Sequence, residues 1–172
     1  MFKNRNAAGK ELAEKLKSHK DREDVVVLAL PRGGVVIGFE VANALNAKLD
    51  VLLVRKLGVP GHEELAMGAL ASGGIKFFNS SIIGSLKVPQ SDIDAVIERE
   101  QKVIENREKL YRGTREFVDL TNKTIILVDD GIATGATIRV AIISAQKNKL
   151  QQNSGRCPCC PQRNKLYITK RG

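Results

Sequence analysis

The chain has 172 residues and a net charge of +9, long enough for one domain with a sizeable buried core. A composition of 42% hydrophobic and 27% charged residues excludes a disordered or collagen-like chain. The longest uncharged apolar run, residues 25–31, is too short to cross a bilayer.

No apolar stretch follows residues 1–6, so no secretory leader is expected. All three cysteines fall within residues 157–160, which does not make a disulfide framework, and the cytoplasm is the expected compartment. Residues 151–172 carry five bases and no acid, so over half of the net charge belongs to the tail. Aromatics are 4% and Trp is absent. This argues against a nucleic-acid face with bases stacked on aromatic rings. The charge reads first as a solvated surface and second as a nucleic-acid footprint, and a modest positive excess would also suit a phosphorylated small molecule.

Leu12 and Leu16 among charged residues predict a short amphipathic helix over 7–18. Residues 25–30 are a continuous apolar run, as expected of a strand buried on both faces of a parallel sheet. Pro31-Arg32-Gly33-Gly34 ends that run, and a helix to about Asn46 follows. Residues 51–54 predict a second buried strand. The Gly-rich stretch 57–74 reads as a loop carrying His62, Glu63 and Glu64, and 75–78 as a short strand. Residues 92–111 give the clearest helical pattern. Ser91 and Asp94 resemble a capping box at its start, and Glu100 and Arg107 interrupt its apolar stripe. Residues 124–128 form another buried strand, and a helix is expected from about Gly135 to Lys147. Strands alternating with helices predict an α/β fold with a parallel sheet.

The most informative stretch is 124–137. A buried strand delivers Asp129 and Asp130 at its carboxyl end, and a short loop of small and hydroxylated residues then opens a helix. In open parallel sheets the ligand crevice lies at such strand ends. A helix N-terminus offers N–H groups and a positive dipole end to a phosphate. Thr134 and Thr137 add hydroxyl donors, and Gly135 permits close backbone approach. The two carboxylates can accept from a sugar diol or meet Mg²⁺ through water. The loop lacks the Lys of a Walker A motif and the glycine spacing of a dinucleotide fingerprint. Asp129-Asp130-Gly131 alone reads as an ordinary turn, and only the full combination points to a site.

Together with Leu-Pro-Arg-Gly-Gly at 30–34 and Arg-Lys-Leu-Gly at 55–58, the sequence Val-Asp-Asp-Gly-Ile-Ala-Thr-Gly-Ala-Thr at 128–137 resembles the type I phosphoribosyltransferases. It is similar in particular to a group of bacterial predicted phosphoribosyltransferases. The resemblance spans about residues 1–152. It implies a parallel sheet flanked by helices and a Mg²⁺-dependent reaction. Phosphoribosyl pyrophosphate would give ribose 5-phosphate to a nitrogen acceptor such as a nucleobase, releasing pyrophosphate. By the same resemblance Ile132, Ala133, Thr134, Gly135, Ala136 and Thr137 would hold the 5′-phosphate. Asp129 and Asp130 would face the ribose hydroxyls, with Mg²⁺ held nearby through substrate and water. Arg32, Gly33 and Gly34 would form the pyrophosphate loop, with a non-proline cis peptide before Arg32. Lys56 would reach a pyrophosphate oxygen, although an Arg55-Lys56 pair alone reads as solvated surface. Residues 58–68 would be a mobile loop closing over the site. Hypoxanthine-type members carry an Asp where this chain has Ala133. A general acid or base must therefore come from elsewhere, and Glu64 is the candidate. Alternatives from other classes are a non-catalytic phosphoribosyl pyrophosphate-binding regulator and an inactive truncated product.

After residue 152 the chain departs from the family pattern, in which another buried strand follows. Residues 153–161 read Asn-Ser-Gly-Arg-Cys-Pro-Cys-Cys-Pro. With AGY codons for Ser and CGN for Arg, a one-base shift of the reading frame is compatible with a Val/Ala/Pro-rich strand. We therefore expect an incomplete core over 1–152 and an atypical, frameshift-derived, disordered tail over 153–172. A metal-binding tail is the rival, but Cys-x-Cys-Cys lacks a second ligand pair at zinc spacing. On this reading strand 124–128 would lose a neighbour, leaving an open edge that a homodimer would cover.

Overall fold

The computed structural model describes residues 2–131 and the backbone of residues 166–168. Val25–Ala29 (β1) is buried along its whole length, and its alternating side chains enter two different cores. Val25 and Val27 face α1 (Arg5–Lys15) and α2 (Gly33–Leu45), meeting Ala13, Leu16, Ile37, Val41 and Leu45. Val26 and Leu28 face the other way, onto Leu52, Leu120, Ile125 and Leu127. This two-sided burial is why the run is apolar at every position and not at alternate ones. A short 3₁₀ turn, Lys17–His19, follows α1.

β2 (Lys48–Val51) and β6 (Thr124–Val128) flank β1, both parallel to it, in register Val27↔Leu49 and Val27↔Ile126. The sheet order is β2-β1-β6-β7, where β7 is Leu166–Ile168. The α/β class with a helix-flanked parallel sheet is thus as expected. The open edge beside β6 is not, because β7 pairs with it in parallel, Ile126↔Tyr167. Leu-Tyr-Ile is the one apolar, strand-prone triplet in that basic tail, which is why this segment takes the edge.

A second departure lies at 51–59. One strand was expected over 51–54; instead the chain leaves the parallel sheet at Val51. It then enters an antiparallel sheet of β3 (Val54–Val59), β4 (His62–Ala71) and β5 (Ile75–Phe78). The expected loop 57–74 is therefore mostly strand. Its glycines misled the reading: Gly58 lies at a register irregularity of the β3–β4 ladder, and Gly61, at φ +76°, makes the turn.

α3 (Ser80–Ser85) and α4 (Gln90–Arg112) follow. Ile93, Val96, Ile97 and Ile104 of α4 pack on Leu57, Met67 and Leu70 of the hairpin. The capping box at Ser91 is absent. Pro89 holds the cap position, and the Ser91 hydroxyl donates to Asp92 Oδ1 at 3.4 Å. Pro has a preset φ and no N–H, so the helix begins two residues earlier than the apolar pattern indicates. The helix expected over 135–147 and the cysteines at 157–160 lie outside the described residues.

Candidate functional site

The strands β2, β1 and β6 run parallel, so their carboxyl ends share one edge of the sheet. From β1 the chain crosses through α2 to β2 on one side, while β7 lies on the far side of β6. The strand order therefore reverses between β1 and β6, which is where open α/β sheets bind ligands. There the Leu30 N–H donates to the Val128 carbonyl at 2.8 Å. The Pro31–Arg32 peptide is cis, where the resemblance places it, and α2 opens at Gly33.

The two glycines bring distant motifs into contact. A Cβ on Gly34 would stand 2.8 Å from the Val128 carbonyl oxygen and 3.1 Å from Asp129 Cα. A Cβ on Gly33 would stand 1.8 Å from Asp130 Oδ2. Only residues without side chains allow the first turn of α2, with its unpaired N–H groups, to press on the acid pair. Arg32 is exposed beside it.

The two acids differ. Asp129 Oδ1 accepts from the Asp130 N–H at 2.8 Å. Burial, seconded by the Asp130 charge, pushes its carboxyl above the usual range. Asp130 is held below that range, mainly by Arg5. Arg5 donates from Nε at 3.0 Å and from Nη2 at 2.6 Å, both to Asp130 Oδ2. The sequence reading missed Arg5, because nothing in a basic residue opening a surface helix marks it as part of a site on another element. Adjacent carboxylates pushed apart in this way can play two roles, one firmly ionised and one responsive to a ligand's charge.

Among the described residues no cluster of three or more His, Cys, Asp or Glu side chains could cage a metal. Two hard carboxylates at the carboxyl edge of the parallel sheet nevertheless fit Mg²⁺, which usually arrives with waters and substrate phosphates. The loop Ile132–Thr137 lies outside the described residues.

The remaining candidates sit on the hairpin. Lys56 Nζ lies 3.5 Å from the Glu64 carboxylate and donates to the Glu64 carbonyl at 3.4 Å. Both residues are exposed, as are His62 and Glu63. Gly61, His62, Glu63, Glu64, Leu65 and Leu86 line an open cleft of about 590 Å³. Among the described residues no hydrogen bond or ion pair joins Lys56 or Glu64 to Asp129 or Asp130. Arg55 is turned inward, pairing with buried Glu100 at 2.7 Å. Burial alone would raise the Glu100 carboxyl, but Arg55 and Arg99 outweigh it and hold it low. The break that Glu100 makes in the apolar stripe of α4 is thus the socket for Arg55.

The chain matches the phosphoribosyl transferase domain family over residues 2–147. It belongs to that family. A Mycobacterium tuberculosis (strain ATCC 25618 / H37Rv) protein named "Putative phosphoribosyl transferase Rv0571c" is 43% identical over 141 residues, 82% of this chain and 32% of its own. The chain thus spans about a third of that relative's length. A Bifunctional protein PyrR from Actinobacillus succinogenes is 26% identical over 132 residues, covering 75% of this chain and 54% of its own. The crystal structure of TT1426 from Thermus thermophilus superposes with a TM-score of 0.72 at 32% identity. It covers 97% of this chain and 83% of that one. The phosphoribosyl transferase domain therefore includes both the acid pair and the glycine turn. Among the described residues no helix is long and apolar enough to cross a membrane.

Proposed function

We propose that the chain transfers ribose 5-phosphate from phosphoribosyl pyrophosphate to a nitrogen acceptor, most simply a nucleobase, with Mg²⁺, and releases pyrophosphate. The observation that carries this reading is the packing of Gly33 and Gly34 against Asp129 and Asp130 at the point where the strand order reverses. One crevice there offers an anion cradle and two hydrogen-bond acceptors. Phosphoribosyl pyrophosphate has an anion at each end and a diol between them.

In this reaction the bond from the anomeric carbon to the pyrophosphate oxygen breaks, and the leaving group takes the electron pair. The acceptor nitrogen then bonds to the same carbon and gives up its proton. The transition state places positive charge on the ribose, and enzymes lower such barriers by fixed charges and dipoles. Asp130, kept ionised by Arg5, accepts from a ribose hydroxyl and steadies that charge. The N–H groups of Gly33 and Gly34 and the Arg32 guanidinium take the developing pyrophosphate charge. Asp129 and Asp130 would hold Mg²⁺ through water, and the ion would supply further positive charge to the pyrophosphate oxygens. The 5′-phosphate belongs to Ile132–Thr137 on this reading, and the compartment is the cytoplasm.

Calorimetric titration of phosphoribosyl pyrophosphate with and without Mg²⁺, followed by a pyrophosphate-release assay over a nucleobase panel, tests the proposal. Saturable, Mg²⁺-strengthened binding and release with one acceptor support it; no binding by the folded chain ends it. A second reading, binding without turnover, draws on the exposed position of Glu64, which is tied to Lys56 and among the described residues makes no bond to the acid pair. Binding with no pyrophosphate release from any acceptor would favour that reading.

A further inference from the structure

Arg5 is the one charged side chain from outside the three motifs that reaches the acid pair among the described residues. It comes from α1, and α1 is firmly seated. Asn4 Oδ1 caps the helix by accepting from the Ala7 N–H at 2.9 Å. Asn6 Nδ2 donates to Glu40 Oε1 of α2 at 2.8 Å. A Cβ on Gly9 would come within 2.6 Å of Glu40 Cβ and 3.0 Å of the Ile37 carbonyl, so the two helices touch backbone to backbone. Arg5 is therefore delivered by a rigid element, as a precise site requires.

Both of its bonding nitrogens converge on a single oxygen, Asp130 Oδ2, which leaves Oδ1 outside the pair. The contact also fills the space that Gly33 leaves. A Cβ there would meet Asp130 Oδ2 at 1.8 Å and Arg5 Nε at 2.6 Å. The Arg5 and Asp130 side chains are 50% and 30% exposed. A pair so open to water adds little to stability, and stabilisation does not account for three elements converging on it.

We propose that Arg5 is a positioning residue for the phosphoribosyl site. It pins Asp130 by Oδ2, holds the carboxylate in the Gly33 slot, and so presents Oδ1 to a ribose hydroxyl. The inference rests on the phosphoribosyl pyrophosphate reading above. It reaches beyond that reading by making the amino-terminal helix part of the ligand site.

The test is titration of phosphoribosyl pyrophosphate and Mg²⁺ into the full chain and into four variants: Arg5→Ala, Arg5→Lys, Asp130→Asn and the Arg5→Ala/Asp130→Asn double. The thermal midpoint of each is measured alongside. Arg5→Ala should weaken binding roughly 10-fold, the scale of one charge-assisted contact, with a nearly unchanged Tm. Arg5→Lys should recover part of the loss. In the Asp130→Asn background Arg5→Ala should cost nothing further, because it acts through Asp130. An unchanged Kd in Arg5→Ala, or a fall in Tm without a fall in affinity, overturns the proposal. Additive losses in the double variant overturn it too, since Arg5 would then touch the ligand itself. If Arg5→Ala fails to fold, Arg5→Gln carries the same comparison. Absence of binding by the unaltered folded chain refutes the phosphoribosyl reading, and the inference falls with it. Binding by that chain with no effect at Arg5 refutes the inference alone.

Discussion

The strand pair β1–β6 carries an acid at each end, and the two ends are built to opposite purposes. At the amino end Asp24 is fully served. Arg22 donates to both carboxylate oxygens at 3.0 and 2.7 Å, and the Thr124 hydroxyl adds a bond at 2.9 Å. The Arg22 bonds lead in holding its carboxyl down, from an ordinary 3.8 to about 2. At the carboxyl end Asp129 is desolvated beside a second acid, and its carboxyl is pushed up. One end stabilises the fold, while the other keeps carboxylates where the fold gains little from them. Such local conflict, kept amid consistent surroundings, is the mark of a functional position.

The largest expected effect tests the exception to this contrast, a stabilising contact at the carboxyl edge. Arg112 is buried and bonds Asp50 Oδ1 at 2.7 Å, the Val51 carbonyl, and Ser72 Oγ at 3.4 Å, with the Phe117 ring 4.8 Å away. Arg112→Ala takes the cation from the largely buried Asp50 carboxylate, leaving it only the Val51 and Val118 N–H donors, and should cost about 3–5 kcal/mol in urea unfolding. Next comes Gly34→Ala. The obstacle there is backbone, which yields only if the end of β6 shifts, so a loss of roughly 1–3 kcal/mol is expected. Gly33→Ala meets the ends of two side chains instead. It should cost less stability yet weaken phosphoribosyl pyrophosphate binding at least ~10-fold by evicting Asp130, an effect of about 1.4 kcal/mol.

The two acids should then respond with opposite signs. A raised folded pKa means that Asp129 stability is present below the unfolded value and lost as pH rises through the folded one. Asp129→Asn should therefore raise Tm at pH 7 while reducing ligand binding. A lowered folded pKa means that the Asp24 contribution is present above about 3.8 and lost as pH falls through about 2. Asp24→Asn should lower neutral-pH stability by less than about 1 kcal/mol, because the pair is partly exposed, and should flatten the acid limb of the Tm profile. A fall in Tm on Asp129→Asn would break the comparison. Smallest of all, Lys56→Ala and Glu64→Ala should each move stability by under about 0.5 kcal/mol.

The same contrast explains what the sequence disclosed. β1 and β6 are buried on both faces, so their uninterrupted apolar runs could be read directly, and the acids that end β6 stood out against them. The hairpin was misread because the first four residues of β4, His62 to Leu65, are exposed. Its polar and glycine residues imitate a loop, and only cross-strand partners distant in sequence reveal a strand. Lys56 and Glu64 were singled out separately, one for a pyrophosphate oxygen and the other as a candidate acid or base. Their mutual contact across the turn depends on β3–β4 register, which no local pattern encodes. Arg5 was invisible for a related reason: its role exists only once α1, α2 and β6 meet.

The passage between the two sheets has a further consequence. The β3–β4 hairpin leaves at Leu53 and comes back to the same place at Ser72, before β5 continues the antiparallel sheet, and these two residues clasp each other. The Ser72 N–H donates to the Leu53 carbonyl at 2.9 Å, and the Leu53 N–H donates to Ser72 Oγ at 3.0 Å. A segment whose two attachment points are already fastened together behaves like a cassette. Its exposed turn at Pro60 and Gly61 can change length without moving the frame that carries Asp129 and Gly34, while Leu57, Met67 and Leu70 stay tied to α4. The hairpin tip and the frame can then vary on separate schedules within one chain.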